Sequence, residues 1–129
     1  MIDENIRSKE MILEIVAYYE EHSRKRWTNL KSRLGSLSKR LGDYDSAEIH
    51  LEEALPYAKK LEMSITEGLI YLNLSNICRF KSDFGDAYRK ADIALPIFRK
   101  INRDDWILEA QTTLAYISVL AKDYEGAAV

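Results

Sequence analysis

The sequence predicts an all-α fold of stacked helical hairpins, and three observations carry that prediction. The phrase "LGDYDSAEIHLEEALP" at 41–56 returns as "KSDFGDAYRKADIALP" at 81–96, and "AKDYEGA" opens a third copy at 121. Five Gly and two Pro among 129 residues, with 47% hydrophobic and 31% charged residues, suit helix throughout. Apolar residues recur at helical rather than alternating spacing. In the gapless register Asp43, Asp83 and Asp123 coincide, as do Tyr44, Phe84 and Tyr124, and Ala47, Ala87 and Ala127. A repeat in this size range means supersecondary units stacked on one another, not one closed core.

Taken in order, residues 4–25 read as an amphipathic helix carrying Ile6, Met11, Ile12, Ile15, Val16 and Tyr19. It lacks the small residues of the repeat and is read as an N-terminal cap (1–26) or the second helix of an earlier unit. The first unit, 27–64, has a helix near 27–41 and another near 45–62, where Asp45 and Glu48 supply an N-terminal signal. The second unit, 65–104, opens with "SITE", in which Ser64 can cap and Glu67 can reach back. Its first helix, 65–81, carries Leu69, Ile70, Leu72, Leu74, Ile77 and Phe80 at helical spacing; its second, about 85–101, turns Ala87, Ala91, Ala94, Leu95 and Phe98 inward. Pro56 and Pro96 fall inside second helices, where the missing N–H predicts a local bend. A partial third unit, 105–129, begins with a helix near 105–121.

Composition narrows the function classes. The length is enough for one domain with a real core and too little for two. A formal net charge of −2 gives no global attraction to nucleic acid or membrane. The single cysteine, Cys78, cannot form an internal disulfide and suits a reducing compartment. No apolar run is long enough for a signal peptide or membrane span, so a cytoplasmic protein is expected.

The segments "LKSRLGSLSKRLGDYDSAEIHLEEAL" and "YLNLSNICRFKSDFGDAYRKADIAL" resemble tetratricopeptide repeats. Leu34, Gly35, Gly42, Asp43, Tyr44, Ala47 and Ala54 carry the resemblance in the first copy. Leu74, Phe84, Ala87 and Ala94 carry it in the second, and Leu114, Ala115, Tyr124 and Ala127 in the third. It covers about residues 27–129 and implies a right-handed solenoid whose first helices line a concave groove. The units are longer than the usual repeat and place the proline inside the second helix. Longer units of this kind resemble the helical regions of bacterial multi-domain transcription activators, peptide-pheromone receptors and repeat-bearing sensor kinases. Such arrays close with a polar cap, so Val129 reads as a fragment end or as a face covered by another chain.

The groove implied by this family would expose Asn29, Ser32, Ser36, Lys39 and Arg40 from the first unit. Leu69, Asn73, Asn76, Arg79 and Phe80 follow from the second, and Glu109, Thr112, Tyr116 and Val119 from the third. Asn73 and Asn76 share a helix face, and paired amides can hold the backbone of an extended peptide; a merely solvated polar face explains them equally. Some family members clamp a carboxylate with Lys and Asn from successive first helices. Asn73 matches that pattern, but Ser32 and Ser36 replace the first Lys and Asn, and Glu109 and Thr113 stand in place of later cations.

From His22 to Leu41 there are seven basic residues and no acid, while from Gly42 to Glu67 seven acids face two lysines. That block either attracts an anionic partner or cancels against its acidic neighbour. Its cations point in several helical directions, so nucleic acid is not expected.

No phosphate loop or nucleophile elbow occurs, and His22, His50 and Cys78 lack metal-ligand spacing, so neither catalysis, cofactor nor metal is expected. Cys78, among Ile77, Leu74 and Phe80, reads as a buried structural thiol. Trp27 and Trp106 read as packing anchors or contact points.

The expected function is a non-catalytic scaffold that binds a protein or peptide along Asn29, Ser36, Lys39, Arg40, Asn73, Asn76, Arg79 and Tyr116. The alternatives are a sensor or regulatory segment of a larger signalling protein, and a homodimer through the C-terminal end at Trp106, Leu114 and Tyr124.

Overall fold

The computed structural model describes residues 10–18 and 23–127, with side chains described as far as 123. Among the described residues all of the regular structure is helical: α1 (10–18), α2 (Arg24–Arg40), α3 (Tyr44–Lys60), α4 (Ser64–Phe80), α5 (Phe84–Lys100) and α6 (Asp104–Ala127). Among the described residues no helix is long and apolar enough to cross a membrane. The predicted 4–25 helix is interrupted, because Ser23 is extended (φ −156°) and Arg24 starts the next helix. Residues 4–9 and 19–22, and the side chain of Tyr124, lie outside the described residues.

From α2 to α5 the chain has a finer period than the forty residues visible in sequence. Each of these four helices is 17 residues long and each joins the next through a three-residue turn. The middle residue of every turn is left-handed: Gly42 (φ 83°), Glu62 (54°), Ser82 (62°) and Asn102 (55°). The turn's last amide then donates back to a carbonyl in the helix's final turn, as Asp43 does to Ser38 (2.9 Å), Met63 to Ala58 (2.9 Å) and Asp83 to Cys78 (2.8 Å). This satisfies carbonyls that the helix end would otherwise orphan.

The aspartates of the repeat then start the second helices. Asp43 accepts from the Ser46 amide (3.2 Å) and Asp83 from the Asp86 amide (3.3 Å). The Asp45 signal is therefore two residues late, and the expected Ser64 cap is not formed. Met63 occupies that position without a side-chain bond, and Ser64 is already helical. Helices α3 and α5 run uninterrupted through Pro56 and Pro96. Both prolines, and Glu52 and Asp92 whose carbonyls they leave without a donor, lie on the exposed side.

Each helix from α2 to α6 packs on the next one in sequence, and α2 also touches α4, an arrangement consistent with an array of helical hairpins. Small residues set the spacing. A Cβ added to Gly35 would lie 2.6 Å from Leu51 Cγ, and one on Gly68 would lie 2.5 Å from the Phe98 ring. Ala47, Leu51, Ala54, Ile70, Leu74 and Ile77 form the core between α3 and α4. Tyr71, Leu72, Ala94, Phe98 and Ala110 continue it toward α6. Ser75 lies fully buried in α4 and donates from Oγ to the Ala87 carbonyl (2.6 Å). Trp27 is 5% exposed and edge-on to Tyr57 at 5.1 Å, a packing anchor of the first hairpin.

The third elbow differs from the expectation. The helix foreseen at about 105–121 continues to Ala127 without a turn at 121–123. The position equivalent to Gly42 and Ser82 is Lys122, and a left-handed non-glycine residue costs about 1–2 kcal/mol. At Ser82 the returning helix α5 offsets that cost through burial, and at Gly42 the cost does not arise. Trp106 and Leu114, expected at an association surface, turn toward the core instead, where both pack against the Phe98 cluster.

Candidate functional site

The alternate helices α2, α4 and α6 contribute one side each to a concave pocket of about 380 Å³. Ser32, Arg33, Ser36, Lys39 and Arg40 line it from α2, Leu69, Leu72, Asn73 and Asn76 from α4, and Trp106 and Glu109 from α6. Helical periodicity explains the set. On α4, residues 69, 73 and 76 fall on one side, while Ile70, Leu74 and Ile77 face the α3 core.

Lys39 stands at the centre of its chemistry. It occupies the last turn of α2, where a cation complements the negative end of the helix. Its Nζ donates to Asn73 Oδ1 at 2.7 Å. Burial first, then the neighbouring charges of Arg40 and Arg79, hold its proton affinity below that of an ordinary lysine. A half-buried ammonium here has a neutral amide as its hydrogen-bond partner and two guanidinium groups as electrostatic neighbours. Among the lining residues the one carboxylate is Glu109, which is exposed.

Beside the pocket, Arg79 lies over two exposed rings, Phe80 at 4.6 Å and Tyr116 at 5.1 Å. Cation–π contacts of this kind fix the guanidinium's plane without neutralising its charge. Its Nη2 reaches Asn76 Oδ1 only at 3.5 Å, and its Nε is buried without a hydrogen-bond partner. Tyr44 stacks on the far side of this row, 5.2 Å from Phe80.

Of the eight groove residues expected from sequence, five line the pocket: Ser36, Lys39, Arg40, Asn73 and Asn76. Arg79 and Tyr116 adjoin it. Asn29 sits apart, accepting from Thr66 Oγ1 (2.7 Å) and lining a shallower cavity of about 290 Å³ with Arg26, Leu30 and Arg33. Arg33, Leu72 and Trp106 were not singled out as groove residues. Trp106 could have been found, since it stands one helical turn before Glu109 on the same side; it stacks on Phe98 at 5.9 Å and lines the pocket. Thr112 and Val119 lie instead on the side of α6 opposite Ala110 and Ile117, away from the core.

Other reactive groups are placed quietly. Burial pushes the Cys78 thiol up, away from the thiolate form that nucleophilic chemistry needs. His50 on α3 meets Lys31 Nζ at 3.2 Å, and that lysine also pairs with Glu53 at 2.8 Å, tying α2 to α3. Lys81 binds both Asp45 (3.1 Å) and Glu48 (2.9 Å), tying the second elbow to α3. Among the described residues no three His, Cys, Asp or Glu side chains are grouped to hold a metal ion. No family model matches the chain, and no curated protein matches it.

Proposed function

We propose that this chain is a tetratricopeptide-type array, right-handed as in that family, and that its α2–α4–α6 face binds an extended acidic segment of a partner protein without catalysing a reaction. The observation that carries this reading is Lys39: a half-buried ammonium beside Arg40 and Arg79, hydrogen-bonded to the neutral Asn73. The cations at this concavity, Arg33, Lys39 and Arg40 with Arg79 beside them, outnumber its one lining carboxylate, Glu109, and such an excess favours a ligand of the opposite sign. A partner carboxylate would place its oxygens among these donors and relieve their mutual repulsion. Asn73 and Asn76 would hold the peptide backbone, and Trp106 and Leu69 would take an apolar side chain.

The test is calorimetric titration with a ten-residue peptide library rich in Asp and Glu, against the same library with Gln and Asn in their place. Binding of the acidic set is expected to weaken as salt rises, and to fall about 10-fold or more in Lys39→Gln, since losing one charge-assisted hydrogen bond is worth about 1.5–3 kcal/mol. Equal binding of both sets, or an unchanged affinity in Lys39→Gln, would refute the reading.

A further inference from the structure

Basic residues end every helix from α2 to α5, as the helix dipole favours. Lys59, Lys60, Arg99 and Lys100 are all exposed. Lys39 and Arg79, which hold the same place in α2 and α4, are instead half-buried. They differ also in what they bond. Among the described residues Lys31, Lys81, Arg89 and Arg103 each pair with a carboxylate, whereas Lys39, Arg40 and Arg79 pair with none. Lys39 donates to the Asn73 amide oxygen at 2.7 Å. Arg79 meets the Asn76 amide oxygen at 3.5 Å and lies over two rings, with its Nε unpartnered. Withdrawing cations from water with no carboxylate of the chain to neutralise them is costly. The helix dipole acts equally on the exposed lysines and does not account for it.

We propose that Lys39, Arg40 and Arg79 form a phosphoryl site, and that the acidic segment held by the groove carries a phosphorylated side chain there. The inference rests on the groove reading above and names the group that anchors the segment. Charge and oxygen count select phosphoryl over carboxylate. A guanidinium fork takes two oxygens, which is all that a carboxylate has, and leaves Lys39 to share one of them. A phosphoryl group brings a third oxygen and a charge of about −1.5 to −2 at neutral pH, against three cations. Burial, then the charges of Arg40 and Arg79, lowers the proton affinity of Lys39, so the three groups share one electrostatic site. The contacts with Phe80 and Tyr116 set the plane of the Arg79 guanidinium in advance, as bidentate recognition needs. Glu109, the one lining carboxylate, stands nearly three turns before Val119, the α6 position equivalent to Lys39 and Arg79. It therefore lies toward the other end of the pocket, and its charge does not pair with these cations.

The experiment is fluorescence-anisotropy titration of the full chain with three forms of one labelled ten-residue acidic peptide. The central pair is phosphoserine-glycine, Glu-Glu or Ser-Gly, so that the first two forms carry nearly the same charge. The phosphopeptide is expected to bind about 10-fold tighter than the Glu-Glu form, the worth of one further charge-assisted hydrogen bond. Arg79→Lys keeps the charge but loses the fork, and should erase most of that preference. Arg40→Gln, at an exposed position, should weaken the phosphopeptide more than the Glu-Glu form. Inorganic phosphate should compete only at far higher concentration, because it lacks the rest of the segment. A Glu-Glu form that binds as tightly as the phosphopeptide overturns this proposal and leaves the groove reading standing. Binding of none of the three overturns both. A preference that survives both variants, or inorganic phosphate that binds as tightly as the phosphopeptide, overturns the phosphoryl site on a protein segment.

Discussion

Helices α4 and α6 begin alike, forty residues apart, yet α4 is clasped on two sides and α6 on one. The difference shows what burial demands. Where α5 crosses α4, the sequence has Gly68 beneath the Phe98 ring and Ser75 with its hydroxyl spent on the Ala87 carbonyl. Where no described element crosses α6, the same positions hold Leu108 and Ala115. The elbows repeat the lesson. Ser82 takes a left-handed conformation because α5 then packs back on α4. Lys122 stays helical although Asp123 and Tyr124 copy Asp83 and Phe84. Local sequence proposes the turn, and long-range packing decides whether it is made.

Exchanging equivalent residues breaks the comparison most directly. Gly68→Leu should destabilise the fold by about 1–3 kcal/mol or more, because the new side chain must displace Phe98 from a fully packed site. Its counterpart Leu108→Gly should cost only about 1 kcal/mol, the helix-propensity difference. Urea denaturation of both variants checks this, and equal losses would mean that α6 is covered as α4 is.

A smaller effect is expected at the turns. Ser82→Gly should gain up to about 1 kcal/mol by relieving a left-handed serine, the gain being reduced by the greater freedom of glycine in the unfolded chain. The melting temperature reports it.

The smallest effect sharpens the contrast between the first hairpin and the α6 end. Burial, then the Lys31 ammonium, lowers the proton affinity of His50 in the folded state. As pH falls below the ordinary histidine value of about 6.5, the unfolded chain takes up this proton first, so stability falls. Once pH passes the folded-state value the loss stops growing. Hydrogen exchange should show loosening in α2 and α3 and not in α6, and His50→Gln should abolish it.

Much of this was legible in the sequence. The all-helical class, the hairpin unit and the inward Ala87, Ala91, Ala94 and Phe98 follow from residue spacing, because helix periodicity is a local property of the chain. The gathering of Lys39, Asn73 and Asn76 on one groove was implied by the resemblance to tetratricopeptide repeats, with helical spacing selecting the positions on each helix. What escaped was set by contacts between distant residues. The twenty-residue half-period hides in Glu62 and Asn102, whose left-handed conformations no local motif announces.

The amino-acid sequence by itself determined where helices form, which face of each is apolar and that the units repeat, because these depend on neighbours within a turn or two. Only the tertiary structure decided that Trp106 lines the pocket and that Arg79 lies over Tyr116. It alone decided that the third elbow stays straight and that one row of α6 is left open. Each of those outcomes depends on whether another helix arrives to bury a surface, and no local stretch of chain carries that information.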